Sequence, residues 1–283
     1  MDRVGVIGGG TMGAGIAEVC ARAGSSVVLV EADPGSVDRC RSRIEASVQR
    51  ATRAGRLSGE EAGRALERID VVTDLEATAS ADLVIEAVPE VEDLKLDLFR
   101  RLDAILRPEA ILASNTSSIP LVKMASVTGR AERVVGVHFF NPAPVLPLVE
   151  VVASLLTSDE TLFAVTDFAE KRLGKTTIRS KDRAGFIVNA LLIPYLLSAI
   201  RMLESGFATA EDIDAGMVQG CAHPQGPLAL ADLIGLDTTA AVAQSMYEEF
   251  KEPLYAPPPL LLRMVDAGLL GRKTGRGFFP YAR

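Results

Sequence analysis

Residues 4–15, VGVIGGGTMGAG, join a short apolar run to a glycine-rich turn and the beginning of a helix. Gly8, Gly10 and Gly13 have the spacing Gly-x-Gly-x-x-Gly. The first glycine makes a tight turn, the second lets the backbone approach a pyrophosphate, and the third lets the helix pack against the strand. The N-terminus of that helix would face the phosphates with unpaired N–H groups and its positive dipole end. This stretch therefore predicts a binding site for a dinucleotide.

An acidic residue follows at the distance that such a site requires. Glu31 ends the second apolar run, SVVLVE, where its carboxylate would accept hydrogen bonds from the adenosine ribose hydroxyls. Ala32 and Asp33 come next, and no arginine adjoins Glu31 in the sequence. A 2′-phosphate would be repelled here, so the pattern favours NAD over NADP. The alternative is a glycine-rich turn without a ligand, followed by a surface glutamate.

Apolar runs alternate with helical spacings over the first part of the chain. Seven runs are typical of strands: RVGVIG, SVVLVE, DVVT, ADLVIEAV, AILAS, RVVGVHFF and PLVEVV. Helices are predicted between them, including a helical arm at about residues 35–68 whose second helix opens with a capping box of Ser58 and Glu61. This alternation predicts an α/β fold with a mostly parallel, Rossmann-type sheet that is covered on both faces.

The pattern changes after the segment KTTIRSKDRAG. No further run is typical of a strand, and helical spacing is found at residues 186–205, 209–219, 226–249 and 258–268. A chain of 283 residues is also long enough for two domains. We therefore expect a Rossmann-like NAD-binding domain at residues 1–183 and an all-α domain at residues 184–283.

Composition and charge argue against several classes of protein. The net charge of −7 disfavours broad binding to nucleic acids or anionic membranes. The longest apolar run, GFIVNALLIPYLLSAI, is shorter than the roughly 20 residues that span a bilayer. Three cysteines without CxxC spacing predict reduced thiols in a cytoplasmic protein, with no disulfide and no metal site. Because the first predicted strand starts almost at residue 1, no targeting segment is expected.

One of the two histidines of the chain lies at the end of an apolar run. His138 ends RVVGVHFF, and Glu150 lies in the next run, LPLVEVV. Neighbouring strands would bring the two side chains together at the carboxyl edge of the sheet, where ligands bind in open α/β folds. An imidazole beside a carboxylate is a suitable general base near neutral pH. The alternative is a core histidine with a satisfied hydrogen bond, but the dinucleotide pattern favours catalysis. His223, before Pro224, is interpreted as structural.

Eight motifs occur in order along the chain: GGGTMGAGIAE, ADLVIEAVPE, LASNTSS, GVHFFNPAPVLPLVEVV, DRAGFIVNALLIPYL, EDIDAGM, HPQGPLALADLIGLD and GLLGRKTGRGFFPY. Over essentially the whole chain they resemble the 3-hydroxyacyl-CoA dehydrogenases, most closely the short bacterial 3-hydroxybutyryl-CoA dehydrogenases. The resemblance implies NAD-dependent oxidation of an (S)-3-hydroxyacyl-CoA, such as 3-hydroxybutyryl-CoA, to the 3-oxoacyl-CoA, and the reverse reduction, in fatty acid metabolism. It also implies a homodimer that forms through the C-terminal helical domain.

The resemblance assigns roles position by position. His138 matches the catalytic base and Glu150 its orienting partner. Ser117 matches a hydroxyl that binds the 3-oxygen of the substrate, and Asn189 matches a side chain that holds the substrate. Cofactor contacts match Gly8, Gly10, Thr11, Met12, Gly13, Glu31, Glu90, Lys95, Ser117, Asn141 and Lys273. Simpler alternatives are turn-forming serines, an exposed pair at a helix start and ordinary charge near the C-terminus.

An acyl-CoA substrate carries several phosphates, so this acidic chain needs a local basic surface. On the helix after Pro34, one stripe at about 100° per residue contains Arg39, Arg43, Arg50 and Arg53. Ser47 matches a family residue that contacts CoA, and Arg50, Arg53 or Arg56 is the expected phosphate contact. The chain departs from the family at Ala54, where some members have lysine, and at Gln225, where methionine is frequent. The alternative is a solvated arginine face.

Two other functions are compatible with the sequence. The same family resemblance covers sugar-acid dehydrogenases that act on free hydroxy acids such as gulonate, and these would not need the arginine stripe. A non-catalytic NADH-binding or structural protein on the same fold is the other possibility. The presence of His138, Glu150, Ser117 and Asn189 together argues against that last class.

Overall fold

The computed structural model describes residues 1–281 and contains two compact units. The first unit comprises Met1–Asp182, and the second begins at Arg183. The first is built around one sheet of eight strands, whereas the second consists mainly of helices. The α/β fold with a helical C-terminal part, predicted from the alternation of apolar runs, is therefore confirmed.

The sheet of the first unit has the strand order β3-β2-β1-β4-β5-β6-β7-β8. Its strands are β1 Arg3–Ile7, β2 Ser26–Val30, β3 Ile69–Val72, β4 Leu83–Glu86, β5 Ile111–Ser114, β6 Val134–Phe139, β7 Leu148–Ala153 and β8 Thr176–Lys181. All neighbouring strands pair in parallel except β6 and β7, which are antiparallel. Strands β4, β5 and β6 are buried along their whole length, as expected when helices cover both faces of a sheet.

Strand β8 was not predicted from the sequence. Its residues, TTIRSK, are half-buried or exposed throughout, because β8 lies at the edge of the sheet and pairs only with β7. A strand of this kind has no apolar run to reveal it, and its pairing depends on residues far away in the sequence.

Six helices accompany the sheet: α1 Thr11–Arg22, α2 Pro34–Arg53, α3 Gly59–Glu67, α4 Glu92–Ile105, α5 Leu121–Ser126 and α6 Asp159–Asp167. Helix α2 begins after Asp33, whose side chain accepts a hydrogen bond from the Ser36 N–H, and buries its apolar stripe of Val37, Cys40, Ile44 and Val48. The predicted capping box at the start of α3 is confirmed, since Ser58 and Glu61 bond reciprocally. A π-helical turn over Phe168–Arg172 continues α6.

The glycine-rich turn that connects β1 to α1 leaves no space for a side chain at Gly8 or Gly13. Gly8 has a φ of 92°, a left-handed conformation that favours glycine. A Cβ atom on Gly13 would lie 1.7 Å from the carbonyl oxygen of Gly8. Helix α1 can therefore approach β1 only because glycine stands at both positions.

The second unit contains five helices: α7 Val188–Glu204, α8 Ala210–Ala215, α9 Pro227–Ile234, α10 Leu236–Phe250 and α11 Pro259–Asp266. The segment 226–249 forms two helices, because Gly235 adopts a φ of 104° between α9 and α10. The core consists of side chains such as Leu196, Leu197, Ile200 and Leu228. None of the helices formed within residues 1–281 combines the length and the apolar character needed to cross a membrane.

A buried carboxylate in α9 fixes the last described segment of the chain. Asp232 accepts hydrogen bonds from the N–H groups of Phe278 and Phe279 and from the hydroxyl of Tyr281, each at 3.0 Å. Burial, together with the bond to Asp232 and its charge, raises the pKa of Tyr281 to about 12. Asp232 is 1 % exposed, so its charge depends on these donors.

Replacing Asp232 by alanine should release this segment. Loss of the carboxylate leaves two N–H groups and one hydroxyl without their acceptor, at a cost of about 1–3 kcal/mol for each donor that stays buried. We expect Asp232→Ala to lower the melting temperature and to make residues 271–281 susceptible to limited proteolysis. Asp232→Asn retains one acceptor oxygen and should give a smaller effect. An alanine variant as stable and as resistant as the wild type would contradict this account.

Candidate active site

His138 and Glu150 face each other across the antiparallel pair of β6 and β7. The register pairs the two residues directly, and Nδ1 of His138 lies 2.7 Å from Oε2 of Glu150. Glu150 is fully buried and His138 is 7 % exposed. A carboxylate oxygen accepts hydrogen bonds, so this geometry suits the imidazole tautomer that has its hydrogen on Nδ1. The contact fixes the orientation of the imidazole ring in the sheet.

The loop after β5 is joined to the histidine strand by a side chain that sequence reasoning missed. Oδ1 of Asn115 accepts a hydrogen bond of 2.9 Å from the N–H of Phe139, the residue after His138. Strand pairing places Ser114 beside Gly136 in the same region. The polar run SNTSS directly after a buried strand was the available signal, but only its Ser117 was given a chemical role. Asn115 fixes that loop beside the end of β6.

Glu90 holds the same loop from the other side. Its Oε1 accepts from the N–H groups of Ser117 and Ser118, both at 3.2 Å, and from the Ser118 hydroxyl at 2.9 Å. The hydroxyl of Thr116 donates a further, short hydrogen bond to the same oxygen. One carboxylate oxygen therefore organises three consecutive residues of the loop, including Ser117.

Lys95 joins Glu90 to a second carboxylate that sequence reasoning did not identify. Nζ of Lys95 lies 2.6 Å from Oε2 of Glu90 and 3.1 Å from Oε1 of Glu86. Glu86 ends β4, is fully buried, and accepts a 2.6 Å hydrogen bond from the Ser114 hydroxyl. An acidic residue at the end of an apolar strand was the signal that could have drawn attention to it. Lys95 is itself 1 % exposed.

The two carboxyl groups on either side of Lys95 respond differently to their surroundings. Burial raises the pKa of Glu86 above its ordinary value, and the charge of Lys95 and the Ser114 hydroxyl oppose this only in part. Burial acts in the same direction on Glu90, but the Lys95 ammonium and the hydroxyl donors outweigh it, so the pKa of Glu90 is lowered. The surroundings therefore favour the charged form of Glu90 more strongly than that of Glu86.

The glycine-rich turn has the features that a dinucleotide needs. Gly10 caps α1 without a side-chain hydrogen bond, and a Cβ atom at that position would meet no other atom within 4 Å. The first N–H groups of the helix are thus left to a phosphate ligand. Oε1 of Glu31 accepts a 2.8 Å bond from the N–H of Gly9, which orients the carboxylate beside the turn.

An arginine lies at the same turn, which sequence adjacency did not reveal. Nη1 of Arg43, in α2, donates a 2.5 Å hydrogen bond to the carbonyl oxygen of Gly9. No arginine adjoins Glu31 along the chain, and Arg43 reaches the same turn from a different element. Helix α2 folds back over the turn and brings Arg43 to the glycine that Glu31 also contacts.

Both parts of the chain match models of one protein family. Residues 3–183 match the model of the NAD binding domain of 3-hydroxyacyl-CoA dehydrogenase, and residues 185–281 match the model of its C-terminal domain. The chain belongs to the 3-hydroxyacyl-CoA dehydrogenase family. The resemblance inferred from the motifs is therefore confirmed.

Individual relatives are similar over their whole length. A 3-hydroxybutyryl-CoA dehydrogenase of Mycobacterium tuberculosis is 54% identical over 282 residues, which are 99% of each chain. The crystal structure of FadB2 from M. tuberculosis has a TM-score of 0.98 and 54% identity, covering 100% of this chain and 99% of that one. The crystal structure of (S)-3-hydroxybutyryl-CoA dehydrogenase PaaH1 from Ralstonia eutropha has a TM-score of 0.93 and 45% identity, covering 100% of both chains.

The basic residues that family membership suggests for CoA lie on and after α2. Arg50, Arg53 and Arg56 are exposed and Ser47 is half-buried. Arg56 lines a cleft of about 370 Å³ in the first unit, whose other basic lining residues are Arg22, Lys171, Arg172 and Lys175. Three of those four are paired with carboxylates of Glu18, Asp167 and Asp2. Burial, and then the charge of Arg22, lowers the pKa of Lys175.

The remaining residues matched to the family are found in the second unit or on exposed backbone. Asn189 is half-buried in the first turn of α7. Nζ of Lys273 lies 2.6 and 2.5 Å from the two carboxylate oxygens of Asp237. Asn141 is exposed and precedes a cis proline. The hydroxyl of Tyr195 lies 3.1 Å from Nδ1 of His223, which agrees with a structural interpretation of that histidine.

Gln225, one of the two positions where the chain departs from the family, has a buried side chain nitrogen. Nε2 of Gln225 is buried without a hydrogen-bond partner among the described residues. Nowhere in residues 1–281 do three or more His, Cys, Asp or Glu side chains form a group that could hold a metal ion.

Replacing Glu90 by glutamine should give a pH-dependent loss of stability. The folded-state pKa of Glu90 lies below its ordinary value of 4.5, so the ionised group stabilises the native state above that pH. This stabilisation is lost as the pH falls through the lowered folded-state pKa. We expect Glu90→Gln to melt below the wild type near pH 7, with the difference shrinking below pH 4.5.

Thermal unfolding followed by circular dichroism between about pH 3.5 and pH 8 measures this difference. Glu92→Gln is the matched control, because Glu92 forms an exposed ion pair with Lys123 and such pairs contribute little. A melting difference for Glu90→Gln that stays constant over the whole pH range would contradict the assignment.

Proposed function

We propose that this protein is an NAD-dependent (S)-3-hydroxyacyl-CoA dehydrogenase that prefers short acyl chains such as 3-hydroxybutyryl-CoA. The observation that carries the proposal is the buried contact of 2.7 Å between His138 and Glu150. This contact lies beside the end of a strand, in the part of the chain that matches the NAD binding domain of the family. Full-length similarity to proteins named 3-hydroxybutyryl-CoA dehydrogenase supports the choice of substrate.

In oxidation, Nε2 of His138 takes the proton of the 3-hydroxyl group as the carbon gives up its hydride. Bound NAD supplies the acceptor for that hydride. Glu150 keeps the imidazole in the tautomer with hydrogen on Nδ1 and stabilises the imidazolium that forms. In reduction, protonated His138 returns the proton to the oxygen of the 3-oxoacyl group.

The oxygen that gains or loses charge needs hydrogen-bond donors held in place before the reaction. We assign this role to Ser117 and Asn189. For Ser117 the support is the number of bonds that fix its loop, from Glu90 on one side and Asn115 on the other. For Asn189 the support is its match to the family motif GFIVN.

The resemblance also guides the assignment of cofactor and CoA contacts. Cofactor contacts are assigned to the glycine-rich turn, Glu31, Asn141 and Lys273. Glu90 and Lys95 form an ion pair in which Lys95 is buried, so they are not an isolated pair on the surface. We assign to this ion pair the positioning of the cofactor and of the Ser117 loop. For CoA, the exposed arginines Arg50, Arg53 and Arg56 near Ser47 supply positive charge for the phosphates.

We further propose a cytoplasmic homodimer that forms through the second unit. Support comes from large apolar side chains on its surface, among them Leu191, which is 74% exposed, and Phe207, which is 80% exposed. A second copy of the chain would cover exposed apolar side chains of this size. All three cysteines are free thiols, in keeping with a reducing compartment.

The activity can be tested by following NADH absorbance after adding acetoacetyl-CoA, and NAD reduction after adding L-gulonate. We expect NADH to be consumed with acetoacetyl-CoA and no reaction with L-gulonate. Turnover of gulonate alone would indicate the sugar-acid activity. Binding of NADH without turnover of either compound would indicate a non-catalytic protein.

Replacing His138 by alanine should lower turnover by about a hundred- to ten-thousandfold, the usual contribution of a general base. Glu150→Gln keeps an acceptor oxygen for Nδ1 but loses the charge, so its turnover should fall less. NADH binding, measured by fluorescence, should stay near the wild-type value in both variants. His223→Gln is the control and should leave turnover unchanged. A His138→Ala enzyme with near-normal turnover would remove the mechanism.

A further inference from the structure

Two charged groups of opposite sign form hydrogen bonds with the backbone of Gly9. Its N–H donates to Oε1 of Glu31 at 2.8 Å, and its carbonyl oxygen accepts from Nη1 of Arg43 at 2.5 Å. A Cβ atom on Gly9 would lie 2.4 Å from Sγ of Cys40 and 2.8 Å from Oε1 of Glu31. Helix α2 is therefore pressed directly against the glycine-rich turn, and only glycine fits between them.

The position of Arg43 follows from the way α2 packs. The buried stripe of α2 includes Cys40 and Ile44, and Arg43 is an exposed residue one helical turn after Cys40, at the edge of that stripe. Burial, followed by the charge of Glu31, raises the pKa of the Cys40 thiol to about 11, and Arg43 acts in the opposite direction. Glu31 and Arg43 therefore both influence the pKa of the Cys40 thiol, as expected for two charged groups that contact the same glycine.

In folds of this class the acidic residue after β2 contacts the ribose hydroxyls of NAD, and a nearby arginine accommodates the 2′-phosphate of NADP. This protein has both groups at one glycine. The guanidinium offers five N–H donors in a planar fork that matches a phosphate. The bond to the carbonyl oxygen of Gly9 uses one of these five donors.

We propose that Arg43 is a specificity-determining residue, a second determinant of cofactor choice that acts against Glu31. Glu31 binds the ribose hydroxyls and repels a 2′-phosphate, whereas Arg43 is a latent binding group for that phosphate and takes effect once the carboxylate charge is removed. The proposal rests on the proposed function only in that a nicotinamide dinucleotide binds at the glycine-rich turn.

Four proteins test this: the wild type, Glu31→Gln, Glu31→Gln with Arg43→Gln, and Glu31→Gln with Arg41→Gln. Glutamine at position 31 removes the charge and keeps an oxygen to accept from Gly9. Arg41 is the matched control, because it lies on the same helix but donates to the carbonyl oxygen of Val71 at 3.0 Å. NADH and NADPH binding are measured by fluorescence titration, and melting temperatures show that each variant is folded.

We expect Glu31→Gln to raise the affinity for NADPH relative to NADH by about tenfold or more, the usual effect of gaining a bond to a charged group. Adding Arg43→Gln should cancel most of that gain and leave NADH binding little changed. Adding Arg41→Gln should leave the gain intact. Higher salt should weaken NADPH binding to Glu31→Gln more than NADH binding.

Equal NADPH affinity with and without Arg43 in the Glu31→Gln background would overturn the proposal, as would a wild type that binds neither dinucleotide. The titrations contain no acyl-CoA. If acetoacetyl-CoA is not reduced while the NADPH affinities change as expected, the proposed function fails and the role of Arg43 stands.

Discussion

Buried carboxylates at the edge where β4, β5 and β6 end constrain the structure around the site. Glu86 and Glu150 have no exposure to solvent, and an unpaired buried charge costs several kcal/mol. Each therefore requires a partner of suitable chemistry: Lys95 and Ser114 for Glu86, and His138 for Glu150. The strands place Glu86 and Glu150 at this edge of the sheet. Because both carboxylates need hydrogen-bond partners, the neighbouring loops and helices must place polar groups beside them.

The consequence for chemistry is that the reactive groups are held by a shared polar framework. Lys95 bonds two carboxylates, one of which organises the loop of Ser117, and Asn115 joins that loop to the strand of His138. Movement of the serine loop would break several bonds at once. An active site gains most when its groups are fixed before the substrate arrives, and here the fixing bonds come from three separate strand ends.

Much of this could be predicted from the sequence, because apolar runs and glycine spacing report local requirements. All seven predicted strands are present, since buried parallel strands need continuous apolar residues. The polar edge strand β8 and the break at Gly235 gave no such local signal. Asn115 and Glu86 each had a local signal, but their roles depend on partners 24 and 28 residues away, and a local signal does not identify those partners.

Arg43 shows the same limit at the cofactor turn. Charge beside Glu31 was judged from the residues that follow it in the chain, which describes only the end of β2. The turn is also covered by α2, whose apolar stripe presses Cys40 against Gly9 and carries Arg43 to the carbonyl oxygen of that glycine. Charged groups from two elements therefore meet at this glycine, and a motif that spans the first element does not reveal the charge that the second one brings.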